Sequence, residues 1–419
     1  MSRLAHSATL DVVEICAGAG GQVLGLHQAG FKHRLAFELD PHACATLRAN
    51  SERLGMTGDW VREGDVASWN PAEIAGVDLL AGGVPCPPFT IAGKQLGATD
   101  ERDLFAWAIE QIPLVKPRAL LLENVRGLSM PRFAGYRQHV LDRLLSFGYT
   151  GEWRLLHASD FGVPQLRPRF VLVAMKPADF RHFHWPSPLD SPPTVGELLR
   201  DMMAARGWEG ASAWARRATG IAPTIVGGSK KHGGADLGPT RAKAAWALLG
   251  VDGLGIADLP PGPGATFDVG PRLTADMVAR LQGWNDGQFA WTFTGRKTAK
   301  YRQIGNAFPP PVAHALGVAI RAALLRSAPS RRLASTVEHD PVYRALRDHG
   351  GFMTHAQIER AAGAVIPPHD LDRRISLLRQ DFEVESRDGA YKLLSFKAFT
   401  GQSDHARHSA FAEQRSRIS

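Results

Sequence analysis

Between residues 11 and 185 short apolar runs alternate with stretches in which apolar positions recur at helical spacing. The runs are Val12–Ile15, Leu35–Phe37, Val77–Ala81, Ala119–Leu122 and Phe170–Ala174, each the length of a buried strand. Between them, Gln22–Ala29 (closed by Gly30) and Leu104–Leu114 carry helical patterns. Alternation of this kind predicts an α/β fold with a doubly wound, mostly parallel sheet.

The pattern changes after residue 185. Glycine and proline become dense, as in Trp185-Pro-Ser-Pro188, Ser191-Pro-Pro193 and Pro260-Pro-Gly-Pro-Gly264, and helical spacing survives only near Val195–Ala204 and Ala242–Leu249. Residues 186–297 are expected to form a smaller, loop-rich lobe. Helical patterns return over 272–325, and 298–325 are expected to complete the domain begun by 1–185. Arg326-Ser-Ala-Pro-Ser-Arg-Arg332 opens a linker, 326–336. Residues 337–395 read as three helices and a hairpin turning at Asp388-Gly389. Residues 396–419 are polar and expected to fray.

Composition adds limits. The 419 residues are 44% hydrophobic and 21% charged, ordinary for a globular chain of two or three domains. A net charge of +8 favours a polyanionic partner, although a solvated basic surface would give the same number. The three cysteines, Cys16, Cys44 and Cys86, form no CxxC pair, so neither a structural metal nor a disulfide framework is expected. No apolar run approaches the roughly 20 residues of a membrane helix, and residues 1–10 lack a signal peptide pattern. A cytoplasmic protein without a membrane partner is expected.

Candidate chemistry begins at the end of the first strand. Val12–Ile15 runs into Ala17-Gly-Ala-Gly-Gly21, where glycines permit a tight turn and close approach of a ligand. Such a turn also suits a plain strand-to-helix connection. Two acidic residues sharpen it. Glu38 ends the second strand, placed to accept from ribose hydroxyls, and Asp65 ends the third, placed to accept from an adenine amino group. The spacing after Gly18, Gly20 and Gly21 lacks a full G-x-G-x-x-G, which disfavours a pyrophosphate. S-adenosylmethionine suits the turn better than a dinucleotide.

Three further segments stand out. In Gly82-Gly-Val-Pro-Cys-Pro-Pro-Phe-Thr90, prolines flank Cys86 and stiffen the loop that presents its thiol. Ala119-Leu-Leu-Leu-Glu-Asn-Val125 delivers Glu123 at the carboxyl end of a strongly apolar strand. Burial there would raise its pKa and make it a competent acid. Gln165, Arg167 and Arg169 share one face by period-two spacing, and the arginines need an anion, a phosphate or a thiolate.

These segments, in this order, resemble the DNA cytosine-5 methyltransferases of bacterial type. Tyr301-Arg-Gln-Ile-Gly-Asn-Ala-Phe-Pro309, preceded by Arg272-Leu-Thr274 and Leu281-Gln-Gly-Trp284, resembles the family's closing segments. The likeness spans roughly residues 10–325. It implies S-adenosyl-L-methionine as methyl donor, with S-adenosyl-L-homocysteine as product. Double-stranded DNA is the implied partner, in a restriction-modification or epigenetic setting, and a monomer is expected. Cys86 would attack carbon 6 of a cytosine flipped from the helix, Glu123 would protonate N3, and Arg167 and Arg169 would assist. The cofactor would lie among Ile15, Cys16, Ala17, Gly18, Gly20, Gly21, Glu38, Leu39, Asp65, Val66, Pro85, Leu104, Asn306 and Ala307. Three positions depart from the family pattern: Cys16 replaces an aromatic, Pro87 a glutamine, and Phe308 a smaller aliphatic residue.

Target recognition in such enzymes lies in the variable lobe. Here Lys230, Lys231 and Arg241 are candidate phosphate or guanine contacts, with Gln165 as a further DNA contact. The order of elements in 337–395 resembles a winged helix, with Arg373, Arg374 and Arg379 on its second helix. Methylation of RNA, or a non-catalytic DNA-binding regulator on a methyltransferase fold, are the alternatives. The long variable lobe weighs against the first, and the intact Cys86, Glu123 and Arg167 against the second.

Overall fold

The computed structural model describes residues 9–85, 104–189, 191–227, 235–285, 287–333 and 340–397. Its centre is a seven-stranded sheet. The strands are β1 (Leu10–Ile15), β2 (Phe31–Glu38), β3 (Val61–Glu63), β4 (Leu79–Gly82), β5 (Ala119–Val125), β6 (Thr150–His157) and β7 (Pro168–Met175), in the order β3-β2-β1-β4-β5-β7-β6. The first five are mutually parallel, while β7 runs antiparallel to both β5 and β6. Central strands are apolar on both faces because helices cover both. β6 is the strand that the hydrophobic pattern missed. It lies at the sheet edge and is mostly half-buried, so it carries no continuous apolar run.

The helices of this region are α1 (Gly21–Gln28), α2 (Pro41–Ala49), α3 (Leu104–Glu110), α4 (Ile112–Val115), α5 (Ala134–Ser146) and α6 (Pro177–Phe180). The single helix expected over 104–114 is two, broken at Gln111 just before Pro113, whose ring removes a backbone donor. One face of the sheet, through Val13, Ile15, Leu80, Leu120 and Leu122, packs against Phe105, Ile109, Tyr136, Val140 and Leu144. The other, through Val12, Leu79, Ala81 and Leu121, packs against Leu26 and Phe180 and against Val312, Leu316 and Ile320 from the far end of the chain.

The lobe contains α7 (Val195–Ala204), α8 (Ala211–Arg217), α9 (Thr240–Leu248) and α10 (Ala275–Leu281) around Trp214, Trp246, Leu199, Met277 and Leu281. Thr194 and Glu197 form a capping box that starts α7. The lobe's core runs on without a break into α11 (Lys297–Asn306), through Tyr301 and Ile304. α12 (Pro310–Leu324) then returns to the sheet.

The described part of the linker is tied down. Arg326 reaches Asp179 at 2.9 Å, and Arg331 reaches Glu152 and the Phe183 carbonyl, each at 2.8 Å. Beyond it come α13 (Pro341–His349), β8 (Met353–Thr354), α14 (His355–Ala362), α15 (Pro368–Asp381), β9 (Phe382–Arg387) and β10 (Ala390–Phe396). The sheet order is β8-β10-β9, and the hairpin turns through Asp388 (φ 49°) and Gly389 (φ 73°), the two left-handed residues that a tight hairpin needs.

This module sits on α5. Phe382 and Phe396 close over Gly135, Tyr136 and His139, and a methyl group on Gly135 would meet the Phe382 ring at 3.1 Å. His139 stacks on Phe396 with centroids 4.7 Å apart. Asp142 on α5 accepts from Tyr343 and from Arg347, both at 2.6 Å. Burial holds the His139 imidazole down at about 4, against an ordinary value of 6.5. The folded protein therefore keeps it neutral where the unfolded chain would protonate it. Its stabilising contribution is full above pH 6.5 and is lost as pH falls towards 4. Replacing His139 by Leu should flatten this part of the profile of urea midpoint against pH. The buried His33, held down to about 3, would supply the slope that remains. An unchanged profile would show that His139 does not sense acid at this interface.

Candidate active site

β1 ends in a left-handed residue, Cys16 (φ 50°), and the turn continues through Gly18 (φ 54°) and Gly20 (φ 92°) into α1. Glu38, at the end of β2, closes this turn. Its carboxylate accepts from the Gly18 N–H at 2.7 Å, Leu39 N–H at 2.9 Å and Asp40 N–H at 2.8 Å. Burial pushes the Glu38 carboxyl up, and the three backbone donors pull it back. Asp65 caps the short turn after β3 by accepting from Ala67 N–H at 3.0 Å, with Val66 buried beneath. Ile15 and Ala17 are buried. The Cys16 thiol lies within reach of the charges of Glu38, Asp65 and Glu14, and burial followed by those carboxylates pushes its pKa well up.

Space over the turn is open. A methyl group on Gly18 would meet nothing within 4 Å, and Leu39 stands 65% exposed on the rim. An adenosyl group fits this arrangement of apolar rim, carboxylates at two strand ends and a turn free of side chains. The far wall comes from the other end of the chain. A methyl group on Gly21 would lie 3.3 Å from Ala307 Cβ, and Asn306 is exposed at the end of α11.

The second part of the site lies where β4 and β5 end. Glu123 is 9% exposed, and its Oε1 meets Arg169 Nε at 2.5 Å. Its Oε2 would be 3.3 Å from a methyl group on Gly83. Burial raises the Glu123 carboxyl, against the downward pull of Arg169 and Arg167. Asn124 Nδ2 donates to the Val84 carbonyl at 3.1 Å, pinning the exit from β4 beside Glu123. Pro85 is exposed at that exit, and Leu104 is half-buried at the start of α3. Cys86 and Pro87 lie between them, outside the described residues, as do Lys230 and Lys231. Arg241 is exposed on the first turn of α9.

Two expectations are corrected. Among the described residues, Arg167 is hydrogen-bonded to backbone carbonyls and to no anion. It is 1% exposed and donates to three backbone carbonyls, Ile225 at 2.5 Å, Gly305 at 2.8 Å and Ala307 at 2.9 Å. Gln165 is fully buried, so it offers DNA no contact. Its Nε2 donates to Leu281 O at 3.1 Å and Gln282 Oε1 at 2.7 Å, while its Oε1 accepts from Ile225 N–H at 3.0 Å. Gln282 in turn donates to Ile304 O at 2.8 Å. Gln165, Arg167 and Gln282 thus lock the lobe's entry strand to the ends of α10 and α11. Of the two arginines only Arg169 touches the Glu123 carboxylate. Period-two spacing identified the shared face but not the partners.

Sequence reasoning missed the segment 291–294. Trp291 Nε1 donates to the Ala19 carbonyl at 2.8 Å. Asn50 on α2 brackets Thr292, donating to its carbonyl at 2.8 Å and accepting from its N–H at 3.0 Å. Thr46 accepts from Thr294 N–H at 3.0 Å and donates to Gln303 at 2.6 Å. Nothing in local pattern marks these residues, because every partner is distant in sequence.

A family model described as C-5 cytosine-specific DNA methylase matches residues 10–242 and 257–322. The chain belongs to that family. The methyltransferase is 65% identical over 418 residues to Type II methyltransferase M.NaeI of Lentzea aerocolonigenes, covering 98% of this chain and 100% of the relative. It is 49% identical to Type II methyltransferase M.NgoMIV of Neisseria gonorrhoeae, over 74% of this chain and 97% of that one. The fold is shared with the solved methyltransferase EhMeth of Entamoeba histolytica, at TM-score 0.52 and 12% identity, covering 76% of this chain and 98% of that one. The protein is a DNA (cytosine-5-)-methyltransferase that uses S-adenosylmethionine and acts on double-stranded DNA. No helix among the described residues is long and apolar enough to cross a membrane.

Removing a cation beside Glu123 should raise its carboxyl further, since Arg169 is the largest influence that opposes burial. In Arg169→Met the protonated-carboxyl infrared band of Glu123, assigned by its loss in Glu123→Gln, should therefore persist to higher pH than in the wild type. A band that titrates at the same pH in both would remove Arg169 as the group that sets this acid.

Proposed function

We propose that the methyltransferase acts through a covalent bond between Cys86 and carbon 6 of a cytosine turned out of the duplex. The observation that carries this reading is Glu123. It is a buried carboxyl with a raised pKa, held by Arg169 at 2.5 Å, beside the β4 exit that leads to Cys86. A carboxyl that burial pushes up holds its proton more readily than a free one and can donate it to ring nitrogen N3. As the Cys86 sulfur adds to carbon 6, electron density moves to carbon 5, which takes the methyl group. Loss of the carbon 5 proton then expels the thiolate. The cofactor supplies the electrophilic methyl group. This chain's own residues hold it at the glycine turn, through Glu38, Asp65 and the exposed Leu39. Arg169 fixes the orientation of Glu123, and Arg167 fixes the walls around both. Reaction inside a stacked helix is geometrically barred, so the base must leave it.

The two relatives named as Type II methyltransferases support a role in restriction-modification. The enzyme would protect its recognition sequence from a cognate endonuclease, as a cytoplasmic monomer whose link to that endonuclease is functional and not necessarily physical. Lys230, Lys231 and Arg241 remain the candidates for DNA contact in the lobe. Gln165 is withdrawn from that set.

The module at 340–397 has the element order of a winged helix, and Arg373 and Arg379 are exposed on α15. Arg374 is engaged by Asp340 at 2.6 Å and Asp370 at 2.8 Å. Nine acidic and nine basic residues balance across the module, which gives it no net attraction for DNA. A brace on α5 is the role its contacts favour.

The chemistry is tested with duplexes carrying 5-fluorocytosine, in which fluorine blocks the final proton loss. Wild-type enzyme with S-adenosylmethionine should give an adduct that survives a denaturing gel, and Cys86→Ser should give none. Sequencing of trapped duplexes would reveal the recognition site. Absence of any adduct from folded protein that binds both cofactor and DNA would overturn the mechanism.

A further inference from the structure

Trp291 belongs to two packed groups at once. Its indole lies against the small core under the glycine turn, with Ala17, Val23, Cys44 and Leu47. It also lies against the lobe's core, which includes Trp284 and Phe289. A methyl group on Gly20 would come within 2.5 Å of its ring, so the indole rests directly on the backbone of the turn. Its N–H ends on the Ala19 carbonyl at 2.8 Å, in the middle of that turn. The backbone on either side is held independently: Thr292 by Asn50, and Thr294 by Thr46 and Gln303.

We propose that Trp291 is a positioning residue for the methyl donor, through which the recognition lobe sets the shape of the cofactor turn. Two left-handed glycines, Gly18 and Gly20, and a left-handed Cys16 give that turn few conformational restraints of its own. Its N–H groups and open space must be presented in one arrangement for the adenosyl group to bind. The indole restricts the turn on the side away from Glu38, by contact at Gly20 and by one hydrogen bond at Ala19. Glu38 restrains the near side through Gly18 N–H. Because the anchors at Thr292 and Thr294 do not involve the Trp291 side chain, its replacement leaves the path of the segment in place.

The inference rests on the cofactor lying at this turn, and the experiment separates the two. Cofactor affinity is measured on the full-length enzyme without DNA, by equilibrium dialysis of labelled S-adenosylmethionine, for wild type, Trp291→Phe, Trp291→Ala and Glu38→Ala. Thermal melting and the fraction of folded protein are recorded for each. Trp291→Phe loses the hydrogen bond but retains most of the packing. It should raise Kd about tenfold, the scale of one hydrogen bond. Trp291→Ala should weaken binding further. In steady state the cofactor KM should rise with Kd, while turnover at saturating cofactor changes far less. A merely structural role would reduce the folded fraction and leave Kd of the folded protein unchanged. If both Trp291 variants bind as the wild type does while Glu38→Ala is weakened, the role of Trp291 is overturned and the site stands. Wild-type binding by Glu38→Ala as well would remove the cofactor from the turn and the inference with it. Should Trp291→Ala fail to fold, Trp291→Phe decides.

Discussion

A side chain at Gly21 would put its first carbon 2.1 Å from the Phe308 carbonyl oxygen, and one at Gly25 would lie 2.5 Å from that of Pro310. Neither distance is tolerable, so α1 and the start of α12 meet backbone to backbone only because both positions lack a side chain. On the other helix Gly317 does the same against Ala29 and Leu26. This approach joins the first turn of the chain to a segment nearly 290 residues later. From it follow the position of Ala307 beside the cofactor turn and the carbonyls of Gly305 and Ala307 that receive Arg167. It also accommodates Phe308, whose ring is buried in the core under the sheet and whose backbone alone faces the turn. The departure from a smaller residue there is absorbed by the core.

Burying Arg167 is expensive unless its donors are met. Its two terminal nitrogens are met by carbonyls from two segments, the lobe entry at Ile225 and the end of α11, while Nε is left without a partner. A guanidinium suits this role because its donors diverge in one plane and reach separate chains together, where an ammonium offers a single centre. The two neighbouring arginines thus divide the work. Arg167 holds the protein to itself, and Arg169 faces the Glu123 carboxylate. Glu123 then experiences opposing influences of similar kind, desolvation upward and two cations downward. Burial prevails over the two cations, so the carboxyl is held above its ordinary value.

Much of this was legible in the chain. The buried strands announced themselves as apolar runs, since both faces of the central sheet are covered. The placement of Glu38, Asp65 and Glu123 at or just beyond strand ends was readable because parallel strands of an open sheet present their carboxyl ends to one side, where a polar residue ending an apolar run is conspicuous. The hairpin at Asp388-Gly389 was readable from its turn residues alone. What escaped has a common cause. β6 is an edge strand with partial burial, so its pattern was diluted. The roles of Gln165 and Arg167 depend on acceptors 58 to 140 residues away, and residue type cannot distinguish a carbonyl from a phosphate as the partner of a guanidinium. Nothing in the sequence around Trp291 points to it, because its partners, Ala19 and Gly20, lie across the fold.

The C-terminal module shows how an addition can bear on a distant site without touching it. It docks on the first half of α5, at Gly135, Tyr136 and His139. That helix is reached directly from Glu123: β5 ends at Val125, two short turns follow, and α5 begins at Ala134. Arg137, on the docked stretch, reaches back to the Leu128 and Met130 carbonyls at 2.8 and 2.9 Å, within those turns. Fixing α5 therefore fixes the segment that leaves β5. The relative from Neisseria matches only 74% of this chain while 97% of its own length is covered, so the family's chemistry is carried by a chain little longer than the shared region. The module is then best understood by what it covers. Phe382 and Phe396 complete a core that α5 leaves open on this side.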